Sequence, residues 1–209
     1  MYIPRLTIPG VWVANEDESW NNNATLLILA ILHNVAEATL ALEWFLSALE
    51  KSGWPRNDDQ SPPPNAPDEP FGNYFHAIVH AKTFLYSLDS TLKIANTLAK
   101  LPKVPNPVIE ARNKLREHFP DVPGLRNSLL HIEDRIRGLV RNKKMDLEAA
   151  GGLTFHFLIG KQFASTIEGD RLGELEVSER SLIVVVEYVE NVLNAFDWKG
   201  APHKWSKWA

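Results

Sequence analysis

Apolar residues recur at helical spacing through most of this chain, and prolines and glycines cut the pattern into a few long segments. Leu26, Leu27, Ile31, Val35, Leu40, Leu42, Phe45 and Leu49 predict a long helix over 24–51, which Gly53 ends. A second long helix is expected over 72–100, with Phe75, Ile78, Phe84, Leu85, Leu88, Leu92, Ile94 and Leu98 as its core side, stopped by Pro102, Pro105 and Pro107. Between them, residues 54–70 hold prolines 55, 62, 63, 64, 67 and 70. Such a run cannot be helix or central strand, so it reads as an extended connection between two antiparallel helices. A shorter helix follows over 107–118 with proline in its first turn, where the missing N–H does no harm.

The pattern then changes twice. Residues 125–141 again have helical periodicity, but past Gly151-Gly152 the spacing becomes alternating. Segments 154–159, 163–167 and 175–177, with bends at Gly160 and Gly169, predict a small β-hairpin or meander within 153–177. Ser178 and Glu179 open a last helix through Leu182, Val185, Val189, Val192, Leu193 and Phe196. Residues 1–23 carry Pro4 and Pro9-Gly10 and read as an irregular arm, with the Asn21–Asn23 run offering helix caps. The tail, 198–209, combines three tryptophans with three lysines, a composition suited to docking on its own body or on a partner. The chain thus reads as one mostly α domain over 1–209: an antiparallel four- or five-helix bundle with a small β-excursion before the last helix.

Composition narrows this picture. Charged residues make up 23% and apolar residues 44%, ordinary values for a globular chain. With no cysteine, thiolate metal sites, disulfides and a cysteine nucleophile are excluded. The start lacks a basic stretch followed by a long apolar run, and the longest apolar run, Leu26–Leu32, is far short of the roughly 20 residues that cross a bilayer. The expectation is a cytoplasmic protein without a membrane partner. Net charge is −4, which disfavours indiscriminate binding to polyanions. Between Arg112 and Lys144, however, nine Lys or Arg stand against four acids, so a locally basic region sits on an acidic chain.

Within that region lies Arg126-Asn127-Ser128-Leu129-Leu130-His131. It joins a permanent cation, an amide and a titratable imidazole, a set suited to phosphate chemistry. On a helix over 125–141, Leu125, Leu129, Ile132, Ile136, Leu139 and Val140 form one apolar stripe. Asn127, His131, Asp134 and Gly138 line the far side. Arg126 stands about 140° round from His131 at 3.6 residues per turn, so the two converge only through a bend in the first turn or a second subunit. Gly138 would admit a close-packed partner. A looser copy, Arg112-Asn113 with His118, ends just before Pro120 and does not open a strong helix.

Arg126-Asn127 followed by His131 resembles the Arg–polar–His signature of the HEPN superfamily, and the order of two long helices, a short one and a motif-bearing helix is also similar. The resemblance implies a bundle of four or five helices and a homodimer through the motif helix. It further implies metal-independent RNA cleavage or RNA binding, often in defence or toxin–antitoxin systems, with an antitoxin as a possible partner and no cofactor. His131 would then be the general acid or base, Arg126 would neutralise the transition state, and Asn127 would orient the phosphate. Arg135, Arg137, Arg141, Lys143 and Lys144 would extend the path of the RNA backbone. The rival expectation is a non-catalytic interaction or ligand-binding module in which these residues only cap and bond the bundle.

Other constellations are weaker. His76 and His80, like His33 and Glu37, are four apart, a spacing that can share a metal, but the paired Glu-x-x-His runs of di-iron bundles are missing. Trp44, Phe45, Phe75, Phe84 and Tyr86 read as core, with an apolar ligand space between the two long helices as the alternative.

Overall fold

Long amphipathic segments need a second apolar surface to stay helical in water, and here each of the two longest supplies it to the other. A computed structural model describes residues 4–14, 17–52, 70–132, 139–140, 143–144, 156–167 and 171–205. Helix α1 spans Glu18–Ser52 and α2 spans Pro70–Leu98. Their hydrogen-bonded and stacked pairs run in opposite senses: Asn34 with Ser90, Glu37 with Ser87, Trp44 with His80, and Lys51 with Asn73. The two helices are therefore antiparallel. The Pro-rich connection expected over 54–70 lies outside the described residues, save Pro70. Among the described helices, α1 is long and apolar enough to cross a membrane, yet more than half of its most apolar window is buried inside the molecule, as in a core helix.

The chain divides into two units. The first comprises Met1–Thr39, Ser87–Pro120 and Glu179–Ala209. It holds strands β1 (Leu6–Ile8) and β2 (Trp12–Val13), helix α3 (Asn106–His118) and the last helix, α5 (Glu179–Ala195). α5 buries Leu182, Val185, Val189 and Val192, spaced three and four apart, against α3, which contributes Val108, Ala111 and Leu115. Trp20 ties the start of α1 to the same unit. Its indole N–H donates to the Pro102 carbonyl at 2.7 Å, and its ring meets Phe196 edge-on at 6.0 Å.

The two ends of the chain close this unit. β8 (Trp198–Lys199) pairs antiparallel with β2, and β9 (His203–Trp205) with β1, in the register Leu6↔Trp205 and Val13↔Trp198. The tail thus docks on its own body as far as Trp205. The arm differs from the irregular segment expected over 1–23. Leu6, Ile8 and Val13 are buried in strand pairs, and α1 starts six residues early, with Asp17 Oδ1 accepting the Trp20 amide. Pairing partners nearly two hundred positions apart leave no local trace in either segment. Gly10 is required where the arm passes the tail: a Cβ there would lie 2.7 Å from the Lys199 carbonyl oxygen.

The second unit comprises Leu40–Tyr86 and Asp121–Ser178. Its sheet is the expected meander, β5 (Phe157–Ile159), β6 (Gln162–Thr166) and β7 (Leu172–Glu176), antiparallel in the order β5-β6-β7. Gly160 turns the first hairpin with φ +58°. Phe163 sits opposite Leu158 on one side and Leu175 on the other, all buried. Leu42, Phe45, Phe84 and Leu85 are among the fully buried side chains of the helical part. Leu26, Trp44, Phe75 and Tyr86, all expected in the core, are instead exposed by 59%, 57%, 59% and 40%. A stripe wide enough to look apolar on a helical wheel exceeds what one antiparallel neighbour covers. The architecture is mostly helical, with five helices and small antiparallel sheets among the described residues.

Candidate functional site at the end of helix α4

Helix α4, Val122–Leu130, carries the Arg-Asn…His segment and belongs to the second unit. Asp121 precedes it and Pro123 occupies its first turn. Three sets of contacts fix the helix on the sheet. Asp121 accepts the Glu174 amide at 3.1 Å and pairs with Arg171 at 2.7 Å. Leu125 is fully buried, and Ser128 donates to the Thr166 carbonyl at 2.8 Å while its hydroxyl meets that of Ser165 at 3.1 Å. Each buried hydroxyl therefore has a partner, as burial demands.

Of the helix expected over 125–141, α4 covers the stretch to Leu130, and residues 133–138 lie outside the described residues. His131 is its C-cap, with φ −119° and ψ 42°, and its backbone N–H donates to the Asn127 carbonyl at 3.1 Å. Downstream, Leu139–Val140 and Lys143–Lys144 form antiparallel strands β3 and β4, in the register Leu139↔Lys144 and Val140↔Lys143. Gly138, Arg135, Arg137 and Arg141 lie outside the described residues, as do the side chains of Lys143 and Lys144.

Arg126 and Asn127 are half-buried inside α4, whereas His131 is exposed at its end. Leu130 and Ile132, on either side of that histidine, are 51% and 38% exposed. An imidazole is therefore presented to solvent between two apolar side chains, one turn beyond the guanidinium and amide. The capping contact here is a backbone one, so the imidazole is not what ends the helix.

His76 and His80 lie on the first half of α2. His80 stacks on Trp44 at 6.1 Å, and burial, then the neighbouring His76, lower its pKa. Among the described residues no group of three or more His, Asp or Glu is placed to hold a metal ion. Glu37, paired with His33 in the sequence reading, accepts the Ser87 hydroxyl instead.

His156, unremarked in the sequence, is the most perturbed imidazole. It stacks on Phe163 with ring centroids 5.9 Å apart and planes 15° apart. Burial, with Lys82 nearby, pushes its pKa down to about 4. Lys82 stands 74 positions earlier, so no spacing rule could pair them. The folded form holds His156 neutral while the unfolded chain takes up a proton near pH 6.5. Stability is then highest above that pH and falls as pH drops toward 4. The full shift would be worth about 3 kcal/mol, and the ring's partial exposure reduces this to about 1–2 kcal/mol. Urea unfolding at about pH 7.5 and 4.5 should show His156→Phe losing less stability than wild type by that amount. Equal losses in both proteins would refute the assignment.

Comparison of the chain with family models, with curated proteins and with solved structures gives no match.

Proposed function

We propose that the chain is a HEPN-like RNA-processing or RNA-binding protein of the cytoplasm, acting without a metal and without a membrane, with His131, Arg126 and Asn127 as its site. The observation that carries this reading is the exposed His131 imidazole at the backbone-capped end of a helix that also carries a half-buried guanidinium and amide. In the proposed reaction His131 takes the proton of an RNA 2′-hydroxyl as its oxygen attacks phosphorus. The P–O5′ bond breaks, leaving a 2′,3′-cyclic phosphate; the 5′-oxygen leaves with a proton from water, and His131 returns the one it took to solvent. Arg126 offsets the negative charge that grows on the phosphoryl oxygens, and Asn127 orients them. Lys143 and Lys144, with Arg135, Arg137 and Arg141, would follow the backbone beyond the scissile bond.

Arg126 and His131 do not share a helix face, so the reading includes a homodimer in which one protomer's Arg126 meets the other's His131. Exposed Leu130 and Ile132 supply apolar surface for such a contact. A role in a defence or toxin–antitoxin system, with an antitoxin partner, follows from the same resemblance. The alternative is a non-catalytic module, favoured by the purely structural bonds of Ser128 and Asp121. Incubating the full chain with end-labelled RNA in EDTA decides between them. Cleavage leaving cyclic phosphate ends is the expected result; intact RNA at enzyme excess would favour the module.

A further inference from the structure

A cavity of about 180 Å³ lies in the first unit, between the N-terminal arm, the first half of α1 and the C-terminal strands. Val11 and Trp12 of the arm, Ile28 and Leu32 of α1, and Trp198 and His203 of the tail supply most of its wall. The polar atoms of that wall are largely engaged. The Trp198 indole N–H donates to the Leu193 carbonyl at 2.8 Å, and the Thr25 hydroxyl accepts the Val13 amide at 3.1 Å. His203, on the exposed β9, is the titratable side chain at the cavity and stands at its solvent side.

The space opens to solvent at Val11, Trp12 and Leu29, which are 52%, 47% and 40% exposed, so its apolar wall meets water unless an occupant covers it. Water is a poor one, because an ordered water needs two to four polar partners. Size and shape choose among apolar occupants. An engineered cavity of about 150 Å³ lined by aliphatic and aromatic side chains binds benzene. A space of about 180 Å³ suits one such ring with a short substituent, whereas a docked helix or strand needs an open groove many times longer. Two indoles in the wall favour a flat ring over an alkyl chain.

We propose that this cavity is a binding site for a small single-ring aromatic molecule whose hydroxyl or amino substituent reaches His203. The ligand would touch both strand pairs, β1–β9 and β2–β8, and so hold the two ends of the chain on α1. This site is independent of the chemistry assigned to α4.

Toluene and benzyl alcohol, titrated into the full chain, test the proposal by tryptophan fluorescence and thermal melting. Trp12 and Trp198 line the cavity, so both compounds should give a saturable change in indole emission, and the melting temperature should rise with concentration as mass action requires. Benzyl alcohol should bind about two- to ten-fold more tightly, the worth of one neutral hydrogen bond. His203→Ala should erase that preference and keep toluene binding. Val11→Phe with Leu29→Phe, at positions 52% and 40% exposed, should fill the space and abolish both responses while the protein still melts cooperatively. A linear, unsaturable response in wild type overturns the proposal. So does an undiminished response in the filled variant, or self-association through the Val11 and Trp12 rim that either compound leaves unchanged.

Discussion

Replacing Phe163 with alanine should lower the stability of the unit that carries α4 by about 3–5 kcal/mol, the range found when a buried aromatic is truncated. Phe163 is fully buried at the centre of the meander, paired with Leu158 and Leu175 in register and stacked against His156. Its strand also supplies the Ser165 hydroxyl and the Thr166 carbonyl on which Ser128 holds the helix. A void at this point therefore weakens the sheet and the platform of the candidate site together. Urea midpoints give the size of the loss, and hydrogen exchange at α4 amides shows whether the helix loosens with the sheet. Phe163→Leu should retain most of the stability, because it keeps apolar volume. The variant should also weaken the acid sensitivity assigned to His156, whose depressed pKa depends on burial under that ring. A loss below about 1 kcal/mol would show that the meander is not organised around this side chain.

The elements legible in the sequence are those whose signal is local. α2, α3 and α5 fall within a few residues of expectation, because apolar spacing, a proline near the start of α3 and Ser178 before α5 are all written within one or two turns. The meander was legible for the same reason: alternation over five residues and Gly160 at a bend. What depends on distant partners was not. Leu6 and Ile8 look like any apolar pair in a Pro-Gly arm, and only Trp205 and His203 make them a strand. Trp20 reads as one more helix residue until its indole finds the Pro102 carbonyl. The end of α4 misled for a different reason. Leu129 and Leu139 keep helical phase, but phase states only where side chains would lie if one helix ran through both. Ser128 is anchored to β6, His131 leaves helical geometry, and Leu139–Val140 pair with Lys143–Lys144 instead. For the candidate site, the motif could be read as a string of residues, while exposure of His131 and the strand beyond it needed coordinates.

His131→Ala should reduce RNA cleavage by about 10²–10⁴-fold, the usual contribution of a positioned general acid or base. It should leave stability within about 0.5 kcal/mol, as expected for an exposed side chain whose capping bond is made by the backbone. That pairing of a large kinetic loss with a small thermodynamic one is what a merely structural histidine could not produce. Arg126 is half-buried and has contacts of its own, so Arg126→Ala mixes packing with charge. Arg126→Lys is the sharper companion: it keeps the charge but loses the planar fork that spans two phosphate oxygens, and cleavage should still fall. Mixing the two inactive variants then asks where the groups meet. If each site takes Arg126 from one protomer and His131 from the other, a mixed dimer of His131→Ala with Arg126→Ala keeps one intact site. With equal amounts and free exchange, half the dimers are mixed, so roughly a quarter of wild-type activity should return. No return from variants that still dimerise would place both groups in one protomer. The 140° between them on a regular helix would then have to be closed by the departure from helical geometry at His131 itself.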